Sequence, residues 1–165
     1  MTRCFMKSLA AAFYLILLTL PASAGELVSG VNTYMSDART WKTGEFAGYY
    51  IYDSKGTTVW KKGPLQDGPV ECHGAGFWTP KDIMGDGICI FGAAPDRWTV
   101  AHELTPGANL WNAQDKNPFH RRGVWRVVQG TGRFVGMTGT GTFVSNELAD
   151  GRKTTLFEGE VEFAN

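Results

Sequence analysis

Apolar and polar side chains alternate along several short stretches of this chain, most cleanly near its end. Phe157, Gly159, Val161 and Phe163 interleave with Glu158, Glu160 and Glu162. A period of two puts one row on a buried face and the other in water, as in a strand of an antiparallel sheet. Residues 97–104 repeat the pattern, with Trp98, Val100, His102 and Leu104 against Arg97, Thr99, Ala101 and Glu103. No helical period follows residue 25. Segments rich in Thr, Val, Tyr, Phe and Trp, punctuated by Gly, Pro and Asp-Gly, predict strands over 27–34, 46–53, 57–62, 70–78, 87–92, 97–104, 123–129, 139–147 and 153–163. Ser54-Lys55-Gly56, Asp67-Gly68-Pro69, Gly85-Asp86-Gly87 and Asp150-Gly151 are the turn signals between them. Helices fit only as short turns, at 80–84 or 107–117, and the long irregular stretch around the latter is the candidate mobile loop.

So many strands in one domain curl or split rather than stay flat. Closure removes the edges. The expected class is therefore all-β, a single antiparallel barrel of about eight strands of the calycin-like kind, with a β-sandwich as the alternative.

The first residues bear on compartment. Arg3 and Lys7 precede an apolar run over 9–20, and Pro21-Ala22-Ser23-Ala24 ends in a small-residue cleavage pattern, which reads as a signal peptide over 1–24. The run is too short for a membrane-spanning helix. A single domain over 25–165 is then exported, to a periplasm or the extracellular space, with no transmembrane anchor after cleavage. Lys+Arg and Asp+Glu are equal at 16 each in the whole chain, and the leader removes two bases and no acid. That balance offers no electrostatic footprint for nucleic acid. The exported part keeps Cys72 and Cys89, and in an oxidising compartment a disulfide is the favoured state. Two buried thiols, or a metal pair with His73, are the alternatives, the latter short of the three or four ligands zinc takes.

The run from Gln129 to Phe143, QGTGRFVGMTGTGTF, is the most distinctive in the chain. Gly130, Gly132, Gly136, Gly139 and Gly141 are too regular for a linker, and glycine permits positive φ and close approach. Gly130-Thr131-Gly132 reads as a tight turn, the later glycines as close-packing points at a sheet corner. The segment is not a dinucleotide fingerprint, because β-rich sequence rather than a helix follows it. Gly130, Thr131, Gly132, Arg133, Phe134, Gly136, Gly139 and Gly141 match G-T-G-[RK]-F-x-G-x-x-G-x-G. This pattern resembles the signature of the allene oxide cyclase-like and dirigent-like barrels, most closely that of small secreted bacterial proteins related to them. The resemblance implies an eight-stranded antiparallel barrel with an apolar cavity, often in a homo-oligomer, and in the plant members action on hydrophobic oxylipins or phenoxy radicals. It maps no catalytic residue onto this chain. Phe134 would plug a barrel end, with Arg133 at its rim.

Candidate chemistry is sparse. No nucleophile-elbow, phosphate-loop or zinc-protease motif occurs, and no cofactor or metal is called for. His102 lies on an apolar row, so it points inward, either as a satisfied core histidine or as the weak catalytic candidate. His73 and His120 read as solvated. Six tryptophans and five tyrosines are a heavy aromatic load. Trp98, Val100, His102 and Leu104 are the expected cavity lining, with Trp111 reaching over the mouth from the irregular loop. The leading functional reading is a binder of a small hydrophobic molecule in the barrel cavity. An isomerase, cyclase or dirigent-like protein acting on a hydrophobic substrate is one alternative, and a structural or interaction protein of the envelope another.

Overall fold

The computed structural model describes residues 25–109 and 120–164. Eight strands follow in order: β1 (Glu26–Lys42), β2 (Gly48–Lys62), β3 (Gly68–Trp78), β4 (Ile83–Ala93), β5 (Asp96–Leu104), β6 (Arg121–Gly130), β7 (Thr138–Glu147) and β8 (Lys153–Glu162). Each pairs antiparallel with the next and β8 pairs with β1, which closes the sheet into a barrel. That closure excludes the sandwich. Connections after β1, β3, β5 and β7 lie at one end, called the upper end here; those after β2, β4 and β6 lie at the lower end.

Two expected turns lie inside strands. Lys55 and Gly56 are in mid β2, facing Met35 and Tyr34 of β1 and Glu71 and Val70 of β3, so the candidates 46–53 and 57–62 form one long strand. Gly85-Asp86-Gly87 is likewise within β4. The glycines there serve space rather than chain reversal: the Tyr50 ring lies across Gly76 and Gly85, where side chains would stand. The segment 79–82 is a turn held by Thr79 rather than a helix, its Oγ1 accepting from the amides of Lys81 and Asp82. Asp150-Gly151 does form a turn, with Gly151 at φ +82°.

The lower half of the interior is solid. Phe91 stacks on Trp98 at 4.4 Å between centroids, and Trp60, Trp125 and Phe157 complete a cluster with Val28, Val70, Val100 and Val161. Each such side chain contributes roughly 1.5–3 kcal/mol on burial. Trp125 fits because it lies over Gly141 and Gly159.

The glycine-rich segment closes this end. Gly132–Phe134 forms one 3-10 turn, and Phe134, 3% exposed, lies between Trp98 and Phe163. Thr131 clamps the β4–β5 hairpin: its amide donates to Arg97 O, its hydroxyl donates to Pro95 O at 2.7 Å, and that hydroxyl accepts from the Arg97 amide. Gly132 takes φ +56° with the Asp96 carboxylate where a Cβ would project. Arg133 lies over the Phe134 ring at 4.5 Å, at the rim. Gly139 and Gly141 lie within β7 as close-packing points rather than at a corner.

Cys72 and Cys89 are directly opposed on β3 and β4 and form a disulfide. Among the described residues no helix is long and apolar enough to cross a membrane.

Candidate functional site

Above the aromatic plug the barrel is hollow. A cavity of about 490 Å³ occupies the upper half, open to solvent on one side. Its lower part is bounded by Phe143, Phe157, Asn32 and the disulfide, its upper part by Ala38, Thr40, Trp78, Ile83, Leu104, Arg121 and Lys153. The strands place these groups by parity. Along β1 the inward row runs Val28, Gly30, Asn32, Tyr34, Ser36, Ala38 and Thr40, apolar at the bottom and polar above. In β2 the row from Trp60 through Thr58 and Ser54 to Tyr52 and Tyr50 behaves in the same way.

Most polar groups of the wall are satisfied within the barrel. Thr58 donates to Asn32 Oδ1 at 2.7 Å. Tyr34, Thr155 and Ser145 form a hydroxyl chain, with Oη–Oγ1 at 2.9 Å and Oγ1–Oγ at 2.6 Å, and Ser36 pairs with Ser54. The Tyr50 hydroxyl donates to Met84 O at 3.2 Å. Tyr52 Oη lies 2.9 Å from His102 Nε2. Two buried atoms have no partner among the described residues, Asn32 Nδ2 and His102 Nδ1.

Burial sets the charge states. It lowers the His102 pKa to about 4, against a smaller upward pull from Asp86. It raises the Tyr52 hydroxyl well above its ordinary range and raises Tyr34 and Tyr50 as well. The imidazole and phenols of the central wall are therefore uncharged near neutral pH. Arg121 and Lys153 bring the cations, both with pKa lowered chiefly by burial and with Arg121 also disfavouring the charge on Lys153.

The expected lining divides by height. His102 and Leu104 stand on the cavity wall. Trp98 and Val100, from the same inward row, lie below it in the packed half, 3% and 0% exposed. Trp111 lies outside the described residues. His73 is on the outer face, 2.6 Å from Asp53, and His120 accepts from Arg122 Nε at 3.0 Å. No group of three or more potential metal ligands occurs among the described residues. The lining from Asn32, Tyr34, Tyr50, Tyr52, Ser145 and Thr155 was missed, although an apolar inward row that turns polar without losing parity was its signal.

Fold and site together define a closed eight-stranded β-barrel with a packed lower half and an apolar-walled cavity above. No family model matches the chain, and no curated protein matches it significantly.

Proposed function

We propose that this chain is an exported binding protein that holds one small, largely apolar molecule in the upper half of its barrel. The cavity carries this reading: hollow barrel interiors are common sites for such ligands, and here aromatic rings, a disulfide and internally satisfied hydroxyls line a space of about 490 Å³. The leader-like residues 1–24 and the disulfide support export, and the glycine-motif resemblance to allene oxide cyclase-like and dirigent-like barrels supports a hydrophobic ligand.

The test is a titration with N-phenyl-1-naphthylamine, a neutral fluorophore bright in apolar surroundings. Saturable binding at one per chain is expected, together with a higher melting temperature; a ligand at a hundredfold excess over its Kd stabilises by about 2.7 kcal/mol. Ala38→Trp, on the exposed part of the lining, should reduce binding at least tenfold while the fold is retained. Fluorescence that rises without saturating, or that is indifferent to Ala38→Trp, would contradict the reading.

A further inference from the structure

Tyr52 and His102 share one short hydrogen bond, and the protons around it can be assigned. A neutral imidazole carries one N–H, on Nδ1 or on Nε2, and the nitrogen without it accepts. Burial holds His102 neutral down to about pH 4, so one of these two tautomers is present. Nδ1 has no partner among the described residues in either case: it is an orphaned donor if it carries the hydrogen and an orphaned acceptor if it does not, and buried orphan N–H groups are the rarer of the two. On Nε2 the hydrogen points along the 2.9 Å contact to Tyr52 Oη. The Nε2–H tautomer is thus favoured, and His102 is the donor of the pair.

Tyr52 then keeps its own hydrogen for another acceptor. The structure gives its hydroxyl no other partner among the described residues, and Tyr52 and His102 both line the cavity. A hydroxyl that accepts one hydrogen bond becomes a stronger donor in the next. Gly74 and Gly87 make the arrangement possible: Tyr52 lies across Gly74, and His102 Nε2 lies 3.0 Å from where a Cβ on Gly87 would stand.

We propose that the Tyr52 hydroxyl, oriented by His102 Nε2–H, is the polar anchor of the cavity and selects an apolar ligand bearing one neutral carbonyl oxygen, of the ketone or aldehyde class. This rests on the cavity reading above and names the ligand chemistry within it. A carbonyl suits the site because it accepts without bringing a charge that the neutral imidazole and phenols around it would have to solvate. Tyr52 is a binding residue in this scheme and His102 a positioning residue.

The experiment compares 2-acetylnaphthalene with 2-ethylnaphthalene, near-isosteres that differ in the carbonyl oxygen. The ketone should bind about three- to tenfold more tightly, the range of one neutral hydrogen bond, with its carbonyl stretch moved to lower frequency. Tyr52→Phe should abolish both differences, so that the ketone binds that variant no more tightly than the hydrocarbon does. Nitrogen-15 shifts of the His102 ring in the unliganded wild type test the same assignment without substitution, and protonation at Nε2 is expected. Protonation at Nδ1 would overturn the proposal. Equal binding of the two compounds with an unshifted carbonyl would overturn it while leaving the cavity reading intact, whereas binding of neither would sink both. Stronger binding of 2-naphthoate, unaffected by Tyr52→Phe, would assign selection to the cationic rim instead and overturn the proposal.

Discussion

At the scale of single residues, burial and close approach set most of what can be measured. His102 has its pKa lowered from 6.5 to about 4 because the barrel wall desolvates it. As pH falls from 6.5 toward 4, the unfolded chain binds a proton that the folded chain does not. Stability from this group is therefore full above pH 6.5 and is lost on acidification, by roughly 3 kcal/mol at and below pH 4. Urea melts between pH 7 and 4.5 should show a steeper loss for wild type than for His102→Gln; parallel losses would show that the imidazole is not held neutral. Gly141 is constrained differently, since a side chain there would meet Trp125 and the Glu158 carbonyl. Gly141→Val should cost about 1–3 kcal/mol, as overpacking beside fixed backbone does, and a thermal melt within a degree or two of wild type would refute the packing described.

At the scale of elements, much of the fold was legible in the sequence. Alternation in 97–104 and 153–163 identified real strands, and Cys72 and Cys89 form the predicted bond. The mid-strand Ser54-Lys55-Gly56 and Gly85-Asp86-Gly87 were misread because Gly, Ser and Asp carry the same local signal whether the chain reverses or a neighbouring ring needs room. The distinction lies in Tyr50 or Tyr34, which are remote in sequence. The site was half legible for a related reason. Parity tells inside from outside but not height along the barrel, so Trp98 and His102 read as equivalent although one belongs to the plug and the other to the cavity wall. Thr131 is the element-level test of the glycine-rich segment. Thr131→Ala removes the hydroxyl bonds to Pro95 and Arg97 and should cost about 1–2 kcal/mol. Asp96→Ala, which removes the acceptor for the Arg133 amide, should be less than additive with it in denaturant melts, because both hold the same hairpin. Full additivity would mean that the two contacts act independently.

At the scale of the whole molecule, the barrel has two halves with different work. The lower half spends its aromatic residues on a solid plug closed by Phe134; the upper half keeps its walls apart and satisfies most of its hydroxyls within the barrel. Removing the plug residue by Phe134→Ala should destabilise by about 3–5 kcal/mol and, where the protein remains folded, leave ligand affinity within about twofold. The most direct test of the account is a proton–nitrogen correlation spectrum of the indole groups during titration with N-phenyl-1-naphthylamine. Trp78, on the cavity wall, should shift saturably at one ligand per chain, while Trp60, Trp98 and Trp125 in the plug and Trp41 on the exposed upper edge should move little. Shifts concentrated at Trp41, or at the plug, with Trp78 unmoved at saturation, would contradict it.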